Sequence, residues 1–301
     1  MLFGPGADDP EPGMPVTSGR SGSRGFHRPA APTVVCEAPA GSDDPYWSFY
    51  DEVASVQLRE WLPAAPARVL DVSGQRDRFA RQMVTAGHQV VRVVGDPPAA
   101  PAGRRPVVTD RLDELAWAAG RDRGDAGPVP AGLLRVAGDA RSLDWFAPGS
   151  FDAVLAEGRA LSFCLATEST LEEIHRLLRP GGQLLLCVDS LLLGLARLAE
   201  QHRWAELSDV PRADVVLVPA EDGTITRCFW PEELKAVLTA AGLEVDWVRP
   251  RSVLSAEAVK RALAADMASF PTLVRTEVEL AAEREGESIG IHLIASARRP
   301  A

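Results

Sequence analysis

The sequence predicts an α/β fold in which a mostly parallel sheet is covered by helices on both faces. Two observations predict it: from residue 43 onward, apolar runs of strand length alternate with segments of helical spacing, and Gly or Pro marks most of the junctions between them. A third makes it feasible, because 301 residues with 46 % hydrophobic content can bury a sizeable core.

Residues 1–42 contain seven Pro and seven Gly among scattered Ser, a composition that predicts a disordered tail ahead of one domain over 43–301. Asp43 or Asp44 can cap a first helix, with Pro45 in its first turn and Trp47, Tyr50, Val53, Ala54, Leu58 and Trp61 at helical spacing up to Leu62. Arg68–Val72 reads as a short buried strand, Arg78–Ala86 as a helix, and Gln89–Val94 as a second strand after Gly87, which together make a βαβ unit. A helix near Thr109–Ala119 and a Gly/Asp/Pro-rich loop at 120–131 are expected before strands at Leu133–Ala137 and Phe151–Ala156. The helix Thr167–Leu178 turns Leu171, Ile174 and Leu178 to one face, and Arg179-Pro180-Gly181-Gly182 stops it before the strand Gln183–Val188. A helix from Leu191 to about Trp204 precedes an insertion at 206–229, where Val215–Pro219 and Thr224–Cys228 can pair as a hairpin around Asp222-Gly223. Pro231 opens a helix that ends at Gly242; the strand Leu243–Val248, helices near 255–267 and 271–284, and the strand Ile289–Ala297 follow.

Composition narrows the function. A formal charge of −10 disfavours a nucleic-acid partner, since such binding draws its affinity from cations on phosphates. The most apolar run, Leu184–Leu198, is broken by Asp189, Gly194 and Arg197, so no membrane span is expected. With no signal-like N-terminus and four scattered cysteines lacking metal-ligand spacing, a cytoplasmic protein without a metal is expected.

In an open α/β sheet, ligands sit beyond the carboxyl ends of the strands. The turns at that edge carry a resemblance. Arg68-Val69-Leu70-Asp71 before a turn and helix, Gly138-Asp139-Ala140-Arg141-Ser142-Leu143, and Gly149-Ser150-Phe151-Asp152-Ala153-Val154 are the first three motifs. Leu171–Leu186 around Arg179-Pro180-Gly181-Gly182, and Phe229–Leu234 with Ala241–Val245, are the later ones. In this order they resemble the class I S-adenosylmethionine-dependent methyltransferases of small molecules. The resemblance implies a Rossmann-like, doubly wound sheet of seven strands whose last strand is antiparallel.

It also implies roles. Asp139 would accept from the adenine amino group while the Ala140 NH faces a ring nitrogen, and a turn cap is the alternative for Asp139. Asp71 would hold the methionine-derived amino group of S-adenosyl-L-methionine, unless it only caps the following loop. Tyr50 would reach the cofactor carboxylate, or simply pack against Tyr46. Ser73, Gly74 and Glu157 would also line the cofactor, and Arg159, Ser190 and His202 would face a small-molecule substrate or else serve as ordinary surface or capping residues.

Two departures from the family pattern stand out. The three glycine positions after the first strand hold Ser73, Gln75 and Asp77, with Gly74 alone retained. Gln75 adds bulk, and Asp77 sets a negative charge at a helix N-terminus, against the cofactor carboxylate, with Arg76 or Arg78 as the counter-charge. Glycine restored at both positions is therefore expected to tighten binding. The ribose position holds Val94, with Asp96 as the substitute. Two functions follow: a methyltransferase, or an inactive methyltransferase-like binding or scaffold protein. A nicotinamide enzyme is disfavoured, because no GxGxxG follows the first strand.

Overall fold

The computed structural model describes residues 44–64, 66–73, 77–94, 107–109, 131–140, 142–219 and 223–301. Asp44 caps α1 (Pro45–Trp61), its carboxylate accepting from the Tyr46 NH at 3.0 Å. There follow β1 (Arg68–Asp71), α2 (Arg78–Thr85), β2 (Gln89–Val94), β3 (Val107–Thr109), β4 (Leu133–Ala137) and β5 (Phe151–Ala156). Next come α3 (Thr167–Leu177), β6 (Leu178–Ser190), α4 (Leu191–Glu200), α5 (Trp204–Asp209), β7 (Val216–Pro219) and β8 (Ile225–Phe229). The chain ends with α6 (Pro231–Ala240), β9 (Glu244–Pro250), α7 (Ala256–Ala265), α8 (Phe270–Glu283) and β10 (His292–Arg298).

The strands form one sheet in the order β3-β4-β2-β1-β5-β6-β10-β9, with β8 joined to the end of β6 and β7 to β8. Neighbours from β4 through β6 run parallel. As expected, β10 is antiparallel to both β6 and β9. Among the described residues the sheet has ten strands, where seven were expected. The expected hairpin forms as β7 and β8, and β8 pairs Cys228 and Phe229 with Asp189 and Ser190 of β6. Where a helix was expected to begin, Thr109 instead ends β3, paired antiparallel with β4; most of the remainder of that expected helix and its loop lies outside the described residues. The Arg179-Pro180-Gly181-Gly182 turn does not interrupt β6, because the Gly181 NH finds the Arg299 carbonyl at 2.9 Å. The helix expected to reach Trp204 breaks after Glu200, where His202 takes a left-handed φ of 57°.

Alternation along each strand divides the core in two, as a doubly covered parallel sheet requires. Leu70, Val72, Val91, Val93, Val154 and Leu186 pack against Leu171, Ile174 and Leu177 of α3 and Leu234 and Leu238 of α6. Each of these large side chains contributes about 1.5–3 kcal/mol on full burial. On the other face Val69, Val90, Ala153, Leu155 and Leu185 meet Leu58 of α1 and Ala80 and Met83 of α2. Beyond them α1 packs on α7 and α8 through Tyr46, Trp47, Phe49, Val53, Val259, Leu263, Val274 and Val278. The point where strand order reverses lies between β1 and β5, so the turns after those strands define the candidate cleft.

Candidate functional site

Strand parity turns Asp71 toward the α2 side, and the register places it opposite Arg92, with Arg92 in turn opposite Arg135. All three are buried. The Asp71 Oδ1 accepts from the Ser73 NH at 2.9 Å, while Oδ2 has no hydrogen bond and lies 3.7 Å from the Arg92 Nε. Burial raises the Asp71 pKa, and Arg92 and Ser73 pull in the opposite direction. Asp77, at the head of α2, takes ion pairs from both Arg92 and Arg135, with Arg81 at 3.7 Å. The expected counter-charge was therefore misplaced for Arg78, which turns instead to Asp51 at 2.7 Å and the Ser55 hydroxyl at 2.7 Å, joining α2 to α1. Arg76, Gly74, Gln75 and Asp96 lie outside the described residues.

Ser73 ties this turn to β5: its hydroxyl accepts from the Glu157 NH at 2.9 Å and faces the Leu155 carbonyl at 3.4 Å. The backbones here are so close that a Cβ on Gly158 would stand 2.6 Å from the Ser73 carbonyl oxygen. The glycine required for close approach thus sits after β5, facing a serine in the first loop.

At the turn after β4, Asp139 is exposed and its carbonyl accepts from the Ser142 NH at 3.0 Å. Ala140 packs on the core beside Trp145 and Phe146. The Trp145 indole donates to the Ser142 carbonyl at 2.7 Å, fixing the turn that follows Asp139.

Around the ends of β5, β6, β9 and β10 the structure gathers a buried polar network. The Tyr50 hydroxyl, reaching over from α1, is 2.6 Å from the His292 Nδ1, and the His292 Nε2 is 3.6 Å from Asp189. Asp189 also holds Arg159 at 3.1 Å and Arg197 at 3.4 Å. Glu157 is ion-paired with Arg251, whose other terminal nitrogen donates to the Gln57 side chain at 2.6 Å. Burial first, then Arg159, Arg251 and Arg197, hold His292 well below the ordinary imidazole range, so it is neutral. A carboxylate facing Nε2 favours a proton there, leaving Nδ1 to accept from Tyr50. Burial raises the Tyr50 phenol well above its usual value and pushes the neighbouring Cys187 thiol up to about 11.

The residues expected to line the site therefore separate. Asp71, Ser73, Glu157, Arg159 and Tyr50 are brought to one edge, though the polar groups of Tyr50, Glu157 and Arg159 are engaged within the protein. Ser190 is a buried helix cap: its hydroxyl accepts from the Leu193 NH at 3.3 Å and donates to the Gly290 carbonyl at 2.7 Å. His202 is exposed just after α4, its ring 5.8 Å from that of Trp204. Asp189, His292, Arg251, Gln57, Arg92 and Arg135 were not anticipated. The signal available for three of them was a charged residue inside an otherwise apolar strand, as in Val90-Val91-Arg92-Val93, Leu133-Leu134-Arg135-Val136 and Cys187-Val188-Asp189.

A family model described as a methyltransferase domain matches residues 70–186, from within β1 to within β6. Over that stretch the chain is similar to a methyltransferase domain. Among solved structures, the chain is similar to one from a complex between the Haloferax volcanii Trm112 methyltransferase activator and a methyltransferase. Identity is 18%, coverage is 86% of this chain and 95% of that chain, and the TM-score is 0.51. It is also similar to an S-adenosylmethionine-dependent methyltransferase from Mesorhizobium loti (16%, covering 86% and 99%, TM-score 0.49). A third is 1,6-didemethyltoxoflavin-N1-methyltransferase of Burkholderia thailandensis with bound 1,6-didemethyltoxoflavin and S-adenosylhomocysteine (20%, covering 86% and 80%, TM-score 0.47). At these identities the likeness is one of fold. No curated protein matches the chain. Among the described residues no helix is long and apolar enough to cross a membrane. A cavity of about 390 Å³ between α1 and α8 and one of about 490 Å³ at the amino ends of β1 and β5 both lie away from the carboxyl edge of the sheet.

Proposed function

We propose that the chain is an S-adenosylmethionine-dependent methyltransferase acting on a small molecule. The observation that supports this most is the pairing of Asp77 with Arg92 and Arg135. It cancels the charge that would repel a cofactor carboxylate at the head of α2, the strongest objection raised by the glycine-poor loop. The chemistry of the donor set also fits the cofactor. A buried Asp71 oxygen without a hydrogen bond suits the methionine-derived amino group, and the exposed Asp139 carboxylate with the Ala140 NH suits an adenine edge.

When bound, S-adenosylmethionine supplies an electrophilic methyl group on a sulfonium, so that the acceptor–carbon bond forms as the sulfur–carbon bond breaks. The protein's part is orientation. Ser73 fixes the first loop to the end of β5, and Tyr50 and Gln57 fasten α1 across the same edge. His292 is a poor proton acceptor among three arginines, so the residues favour transfer driven by proximity over general-base chemistry. Calorimetric titration with S-adenosylmethionine and S-adenosylhomocysteine tests this. Micromolar binding is expected, whereas no heat and no thermal shift would favour the inactive scaffold.

A further inference from the structure

Three chain segments converge at the carboxyl ends of β5, β6 and β8. The Ser162 hydroxyl accepts from the Asp189 NH at 2.8 Å, at the end of β6, and the Ser162 carbonyl accepts from the Arg227 NH of β8 at 2.8 Å. Phe229, two residues on in β8, pairs with Ser190. Ser162 therefore joins the ends of β5, β6 and β8 at one point. The residues leaving that point are large and apolar, and they are exposed: Phe163 by 41%, Leu165 by 55%, Leu192 by 39% and Trp230 by 40%.

The charges beneath them are matched internally. Arg227 holds Glu168 at 2.7 Å and Glu233 at 2.9 Å, as Arg159 and Arg197 share Asp189 and Arg251 holds Glu157. Among the described residues these four arginines are paired with four carboxylates. An ionic acceptor would have to break one of these pairs and leave a buried partner uncompensated, whereas a neutral one leaves them intact. The apolar rim meanwhile offers aromatic faces and aliphatic area.

Resting on the methyltransferase reading, we propose that the acceptor is an uncharged molecule with a planar apolar face, bound against Phe163, Leu165, Leu192 and Trp230 at the junction made by Ser162. The test titrates the protein, saturated with S-adenosylhomocysteine, with 2-naphthol, 2-naphthoate and 2-naphthylmethylammonium. The neutral probe is expected to bind at least tenfold more tightly than either ion. Phe163→Ser combined with Leu165→Ser should weaken it at least fivefold, with the affinity for S-adenosylhomocysteine unchanged within twofold. The proposal is overturned if either ion binds as well as 2-naphthol, if 2-naphthol does not bind, or if the double variant binds it as the parent does. Should the parent bind no S-adenosylhomocysteine, the methyltransferase reading fails separately. The naphthalene series on the cofactor-free protein then still decides the charge preference of this edge.

Discussion

Asp77→Gly restores the residue that the family pattern carries at the head of α2, yet the structure predicts that it weakens the protein. Asp77 is 8% exposed and is paired with Arg92 and Arg135, which are 2% and 3% exposed. After the substitution Arg92 keeps Asp71 at 3.7 Å, whereas Arg135 loses its carboxylate partner, and its Nε and Nη1 already lack hydrogen bonds. Removing one partner of a buried ion pair costs about 3–5 kcal/mol. Glycine brings no compensating relief, because Asp77 has φ −71°, an ordinary helical value. For a domain of this size each kcal/mol moves Tm by roughly 2–4 °C, so a fall on the order of 6–20 °C is expected. Urea unfolding followed by circular dichroism measures the same loss at fixed temperature. Asp77→Gly with Arg135→Met should recover part of it by removing the stranded cation. An Asp77→Gly protein as stable as the parent, or a double variant no better than the single, would refute the ionic anchoring of the loop.

Other outcomes follow from the same contacts. Asp139→Ala should weaken S-adenosylhomocysteine binding by about 1.5–3 kcal/mol, the range for a hydrogen bond to a charged group; calorimetry checks it, and an unchanged affinity would remove Asp139 from the adenine edge. His292 has a depressed pKa in the folded state, so the unfolded chain binds the extra proton first and stability falls as pH drops below about 6.5, by up to about 1.4 kcal/mol per pH unit. Urea midpoints between pH 7.5 and 5.5 should show this slope reduced in His292→Gln, and an unaltered slope would assign it to other groups. A chain starting at Gly41 should keep the full-length Tm, since Asp44 caps α1 by itself; a drop of several degrees would show that residues before it add stability.

The hydrophobic pattern made most of the layered fold legible, because Leu70, Val91, Val154 and Leu186 alternate with residues of the opposite face and α3 and α6 each carry an apolar stripe. Caps were equally readable: Asp44 and Pro45 start α1 where their chemistry requires. The charge network was not. Arg92 and Arg135 come within reach of Asp77 only through strand register and the return of α2, neither of which is encoded at short range. Ser190 was open to two readings in the sequence, substrate-facing or capping, and its hydroxyl caps α4. The uninterrupted course of β6 through Pro180 was hidden because its hydrogen-bonding partner, Arg299, lies near the chain's end.

The place of β10 between β6 and β9 has a consequence for biosynthesis. Until that last strand leaves the ribosome, β6 and β9 each present an open flank, and Tyr50 of the first helix has no His292 to meet. At roughly 5–20 residues per second, the interval between completion of α1 and the arrival of His292 is on the order of 10–50 s. Throughout it the nascent chain carries two unpaired strand borders, the kind of edge that can template pairing with another chain. A stop codon a few residues before Arg298 would make that transient vulnerability permanent.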